Sequence, residues 1–217
     1  MFIMKDLVIV SDFDGTITQK DSLYHFFSEF ASERWLEIEQ QWVDGKIGST
    51  KCLEREFELV PYLNEELIDA YTDTIKIDPY FREFNELRKS KGLDFVVVSD
   101  GVDYFINRIL HKNGIKDIKI ISNHGEFIND KFRLTFPHSA QNCTRKAGVC
   151  KCKVIKDLKK LYKNIAYIGD GFSDLCCANK VNILFAKSHL LAYCKENNIS
   201  CIEYENFKGV IEHDFIK

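Results

Sequence analysis

The stretch Val8-Ile9-Val10-Ser11-Asp12-Phe13-Asp14-Gly15-Thr16, "VIVSDFDGT", joins an unbroken apolar run to two carboxylates one residue apart. The run extends back to Leu7 and is rich in β-branched residues, the pattern of a strand covered on both faces. Two like charges about 4 Å apart repel by roughly 4 kcal/mol at an effective dielectric near 20, so the pair calls for a cation or a shared proton. Gly15 allows a sharp turn and a close backbone approach immediately after the carboxylates.

Similar runs follow: "LDFVVVS" (93 to 99), "IKIIS" (118 to 122), "IAYIG" (165 to 169), "NILFA" (182 to 186) and "ISCIEY" (199 to 204). Helical patterns separate most of them, which predicts an α/β fold, a doubly wound parallel sheet with helices on both faces. Ligands in such sheets bind beyond the carboxyl ends of the strands, so Asp12, Ser99 and Asp170 are expected on one rim. Residues 19 to 76 break the alternation. Leu23, Phe26, Phe27 and Phe30, then Leu53, Phe57 and Val60, fall at helical spacing and predict an inserted all-helical cap over that rim. The core is then expected at 1–18 and 77–217. Within it, 123–143 reads as a hairpin turning at Asn129-Asp130 and then a loop, a possible flap.

A chain of 217 residues holds one or two domains. Thirty basic and 33 acidic residues leave a net charge of -3, which favours neither nucleic acid nor an anionic membrane as partner. No apolar run approaches the ~20 residues needed to span a bilayer, and the N-terminus has no signal-peptide pattern, so the expected location is the cytoplasm. The eight cysteines are expected as free thiols. His138, Cys143, Cys150 and Cys152 offer zinc-ligand chemistry, without the usual pair of short Cys-x₂₋₄-Cys knuckles. Cys176 and Cys177 read as small core residues.

Three further elements bear on chemistry. Gly169-Asp170-Gly171-Phe172-Ser173-Asp174 follows a strand and opens a helix; by itself it reads equally as a Gly-Asp-Gly turn with Asp174 or Ser173 capping the helix. Ser99-Asp100-Gly101 ends another strand, where a hydroxyl and a helix N-terminus could hold a phosphate. Lys151 and Lys153 precede a helix, and one of them could neutralise an anion on the rim. Apolar residues at +3, +4 and +7 from Lys151 (Val154, Ile155, Leu158) point to Lys151. A Ca²⁺ loop counted from Asp12 fails, because its last ligand position is Leu23.

In order and strand-end placement, these four elements resemble the motifs of the haloacid-dehalogenase-like superfamily of phosphohydrolases across nearly the whole chain. The resemblance implies that Asp12 is the nucleophile and Asp14 the general acid and base. It also implies that Mg²⁺ is held by Asp12, the Asp14 carbonyl and Asp170, with Asp174 close by, and that Ser99 and Lys151 bind the phosphoryl oxygens. Phe13, Asp100 and Gly101 are expected beside the phosphate, Phe13 through its backbone N–H. A helical insert after the first motif is similar to the phosphoserine phosphatase branch, where an acidic residue at the position of Asp21 recognises the substrate amine; Asp21 also fits a helix N-cap.

A closer likeness is to the methionine-salvage phosphatases of that branch, carried by "DFDGTIT", Asp21, "VVSDGVDYF" and "FPHSAQNC...GVCK". Asp100 and Val149 depart from that group, which usually has Gly and Cys there. The implied function is Mg²⁺-dependent hydrolysis of a small-molecule phosphomonoester, with 2-hydroxy-3-keto-5-methylthiopentenyl 1-phosphate or phosphoserine as substrate. A phosphomutase and a non-catalytic metal- or phosphate-binding regulator are the alternatives, and the chain is expected as a monomer or homodimer.

Overall fold

The computed structural model describes residues 4–214 and 216. Its first strand, β1 (Lys5–Ser11), is followed by four helices before any other strand: α1 (Ser22–Phe30), α2 (Trp35–Val43), α3 (Ser49–Glu58) and α4 (Glu65–Thr72). The chain then alternates through α5 (Phe81–Ser90), β2 (Asp94–Val102), α6 (Asp103–Lys112), β3 (Lys119–Ile128) and β4 (Lys131–Thr135). It continues with α7 (Lys151–Leu158), β5 (Tyr162–Gly169), β6 (Ile183–Ala186), α8 (Ser188–Glu196), β7 (Ile202–Glu203) and α9 (Phe207–Ile211). The seven strands form one sheet in the order β4-β3-β2-β1-β5-β6-β7, parallel throughout except for β4.

β1 is central, with Ile9 beside Phe95 of β2 and Ala166 of β5. Val8, Ile9 and Val10 are wholly buried, and the pleat sends them to two different cores. Ile9 joins Phe95, Val97 and Ile168 against α5, α6 and α9, whereas Val8 and Val10 join Val96, Val98 and Ile165 against α7 and α8. This two-sided burial is why the strand reads as an unbroken apolar run, and it is the doubly wound α/β architecture the sequence predicts.

The sheet differs from the sequence reading at both edges. β3 outruns the segment 118 to 122: its first half pairs with β2, and its second half pairs antiparallel with β4 across Asn129 and Asp130. Both turn residues are left-handed (φ 48° and 60°), as a two-residue hairpin turn requires. Only Ile202 and Glu203 of the run 199 to 204 form strand, because the neighbouring β6 has four residues and pairs only Phe185 and Ala186 with them.

Helices α1 to α4 share a third core with the start of α6, in which Phe26 is fully buried against Phe27, Phe57, Tyr71 and Phe105. Where this helical segment leaves and rejoins the sheet, Thr18 and Ile77 form an isolated antiparallel bridge. Truncating Phe26 to Ala removes the centre of this aromatic cluster. Chemical denaturation is expected to register a loss of about 3–5 kcal/mol.

Candidate active site

The ends of β1, β2 and β5 lie side by side, and each delivers acidic or hydroxyl groups to the same rim. Asp12 follows β1, with its backbone N–H donated to Ile168 O of β5 at 2.9 Å. Phe13 is buried in the core, and its carbonyl accepts from the N–H groups of Thr16, Ile17 and Thr18, folding the chain back at once. Gly15 completes the turn at φ 71°, where a Cβ would stand 2.5 Å from Asp170 Oδ2. The motif therefore needs glycine both for its conformation and for the approach of Asp170.

Asp12 is almost fully buried. Its Oδ2 lies 2.7 Å from Lys151 Nζ, and its Oδ1 accepts the Phe13 N–H at 2.7 Å. The N–H expected to face a phosphate is thus engaged by the neighbouring carboxylate. Lys151 is itself 2% exposed and donates to Ser173 Oγ (2.9 Å) and Asp174 Oδ1 (2.6 Å), so its three protons have three acceptors. Burial alone would depress its pKa, but the charges of Asp12 and Asp174 more than offset this and hold it above the ordinary lysine value. Lys153 lies on the exposed face of α7, where it pairs with Asp157.

Asp174 is fully buried and saturated. Its Oδ2 accepts from the N–H groups of Asp170 and Gly171 at 3.0 Å, and its Oδ1 accepts from Lys151 and the Tyr167 hydroxyl. It thereby closes the turn that opens a short 3₁₀ segment, Phe172–Cys177, so capping and membership of the acidic cluster coexist. Asp170 accepts from Thr16 Oγ1 at 2.6 Å. Burial, then the charge of Asp174, lifts its pKa to about 6. Oxygens of Asp12, Asp170 and Asp174 lie within 4.8 Å of one another.

Asp14 occupies the cavity side of the rim. Its Oδ1 accepts from the backbone N–H and the hydroxyl of Ser22, and its Oδ2 would contact a Cβ at Gly101. Burial first, and then Asp21, raise its pKa to about 7. Ser99 is buried and its Oγ accepts the Gly101 N–H at 3.0 Å. Asp21 caps α1 by accepting the Tyr24 N–H at 2.9 Å and also lines the cavity.

Asp100 also lines the cavity, and its carboxylate accepts from Val149 N (2.9 Å) and Asn123 Nδ2 (3.2 Å). The two positions that depart from the methionine-salvage pattern are therefore bonded to each other. Asp100 fastens the end of β2 to the loop before Lys151.

Sequence reading gave no site role to Thr16, Ser22 and Tyr167, and read Ser173 only as a helix cap. Thr16 and Ser22 adjoin residues already singled out and Ser173 sits inside the fourth motif, whereas nothing local marks Tyr167, a strand residue whose partner lies one turn beyond the strand end. It also missed Glu39 and Glu56, which face the same cavity of about 540 Å³ from α2 and α3. The cysteines group differently from the expected zinc set: Cys152 lies with Cys176 and Cys177, their sulfurs within 4.8 Å, and among the described residues His138, Cys143 and Cys150 form no such cluster with it.

The sheet, the rim and their order along the chain define a hydrolase of the haloacid dehalogenase type, and residues 9–179 match the model of that hydrolase family. The chain belongs to the haloacid dehalogenase-like hydrolases. It is 33% identical to the 2-hydroxy-3-keto-5-methylthiopentenyl-1-phosphate phosphatase of Bacillus velezensis, over 94% of this chain and 87% of that one. The enzyme of the same name from Geobacillus thermodenitrificans is 29% identical over 96% of each chain. In fold it is similar to a substrate-bound phosphoserine phosphatase, with a TM-score of 0.73, 20% identity, and coverage of 99% of this chain and all of that one.

Proposed function

We propose that the protein is a Mg²⁺-dependent phosphomonoester hydrolase that works on a small metabolite through an aspartyl phosphate on Asp12. One observation carries the reading: a carboxylate paired with a buried lysine stands on the same rim as a second carboxyl group, Asp14, that is held by Ser22 and lines the cavity. Asp12 attacks phosphorus while the bond to the leaving oxygen breaks and Asp14 supplies that oxygen with a proton. Asp14 then takes a proton from water as it attacks the aspartyl phosphate, which frees inorganic phosphate and regenerates Asp12. Ser99 and Lys151 meet the phosphoryl oxygens and offset the charge that builds there.

The donor set fits a hard divalent cation. Asp12, Asp170 and Asp174 present oxygens alone, Lys151 pairs with two of them, and Gly15 leaves room for Asp170 to approach. Asp12, the Asp14 carbonyl and Asp170 would hold Mg²⁺, with Asp174 orienting the turn. When bound, the ion neutralises the carboxylates so that an anionic ester can approach them.

Helices α1 to α4 act in this reading as the cap that closes over the ester, and the β3–β4 hairpin as a flap beside it. The ester in the relatives' names is the first substrate to test. Phosphoserine is the second, favoured by Asp21 on the cavity wall, although no lysine or arginine among the described residues lines that cavity to meet its carboxylate. Phosphate release from these esters and from para-nitrophenyl phosphate is expected with Mg²⁺ and is expected to vanish with EDTA. Failure to hydrolyse any phosphomonoester would return the chain to the regulator alternative.

A further inference from the structure

The cavity wall carries a second group of carboxyls that the phosphoryl chemistry does not use. Glu56 of α3 is 3% exposed, lines the cavity, and has an Oε1 without a hydrogen-bond partner. A buried acceptor left unpaired costs about 1–3 kcal/mol, a cost that a donor on a bound ligand would remove. Across from it, Glu39 of α2 brings a second carboxylate within 4.8 Å. Burial, reinforced by Glu39, pushes the Glu56 carboxyl up to about 9. The two carboxyls hydrogen-bond each other through a shared proton, and a cation placed between them would take that proton's place.

The surrounding walls narrow the kind of cation. Tyr24, Trp35 and Trp42 line the same cavity, and Tyr24 and Trp35 meet edge to face with ring centroids 4.9 Å apart. Electron-rich faces beside carboxylates suit an alkylammonium. A divalent metal is less well served, because the third group of the cluster, the Cys52 thiol, is directed to Ile38 O (3.8 Å) and Glu39 Oε2 (3.7 Å), and burial holds it protonated. No lysine or arginine among the described residues lines the cavity to pair with a carboxylate on the leaving group.

We propose that Glu39 and Glu56, framed by Tyr24, Trp35 and Trp42, bind an ammonium group on the leaving alcohol, so that the preferred substrates are phosphomonoesters of amino alcohols without a carboxylate. This rests on Asp12 being the phosphoryl acceptor on the wall of the same cavity.

The test compares kcat/KM for ester pairs that differ in charge but hardly in shape: phosphoethanolamine against propyl phosphate, and phosphocholine against 3,3-dimethylbutyl phosphate. In at least one pair the cationic ester is expected to be preferred by about 100-fold, the scale of a desolvated charge-assisted contact with cation–π support. The Glu39→Gln/Glu56→Gln double variant is expected to bring that ratio close to one, and Glu56→Asp, which keeps the carboxyl group, to retain most of the preference. An active enzyme that shows no preference in either pair, or a ratio unchanged in the double variant, overturns the proposal while leaving the phosphatase reading intact. So does a stoichiometric divalent ion seated on Glu39, Cys52 and Glu56 in a crystal structure. If no phosphomonoester is hydrolysed, the phosphatase reading falls instead, and calorimetry with ethanolamine and choline decides the subsite alone. Heat of binding that disappears in the double variant upholds it, and no binding by the wild type refutes it.

Discussion

Asp12→Asn is expected to abolish turnover, lowering kcat by about 10⁴-fold or more, as removal of a nucleophile does when the rest of the machinery cannot substitute for it. The amide is isosteric, so the turn at Phe13 to Thr18 should survive, but it is a far weaker nucleophile toward phosphorus. Asp12 is buried and its pKa lies well above the ordinary carboxylate value, first through burial and then through Asp174, so taking its charge away relieves repulsion. The variant should therefore melt no lower than the wild type while releasing no phosphate. Steady-state phosphate release beside a thermal melt checks both halves, and a variant retaining full activity would remove the aspartyl phosphate from the mechanism.

Lys151→Met should fail in the opposite way, losing both activity and stability. The ammonium is the sole cation bonded to the Asp12 and Asp174 carboxylates among the described residues, and both are nearly or fully buried. Breaking a buried pair by deleting one partner costs about 3–5 kcal/mol, because the other charge stays behind. The sign of the pH dependence follows. Lys151 is one of the groups that lower the Asp12 pKa, so without it that value, already above the ordinary one, rises further and the folded state binds more protons. The variant should be most stable in acid, below the ordinary carboxylate range, and lose stability as pH rises through the raised values. Urea denaturation across that range measures the slope; a loss independent of pH would mean that packing, not charge, is what the lysine supplies.

Much of this arrangement can be read without coordinates because it is local or follows from strand polarity. An unbroken apolar run in β1 needs cover on both faces, and two-sided cover implies crossover helices, which in turn place every strand's carboxyl end on one edge. Lys151 is distinguishable from Lys153 because Val154, Ile155 and Leu158 must pack inward, and all three are buried. The illegible parts depend on contacts between segments with no shared period. Glu39 and Glu56 look like ordinary surface acids on amphipathic helices until α2 and α3 are laid together. Cys152 meets Cys176 and Cys177 only because α7 packs on the turn after β5. The Phe13 N–H illustrates a finer limit: its strand-end position suggested a ligand, but the adjacent carboxylate reaches it first.

The bridge between Thr18 and Ile77 has a consequence for the chain's tolerance of change. Because the four helices depart and return at neighbouring points, the sheet meets them as one long loop whose ends are already joined. The entropy of closing a loop grows only logarithmically with its length, about 0.6 kcal/mol per doubling. Lengthening, shortening or exchanging the whole excursion therefore perturbs the sheet far less than one altered residue in β1. A lineage of such proteins can revise what it recognises through insertions and splices in α1 to α4, while the strand ends that hold Asp12, Asp14 and Asp170 stay as they are.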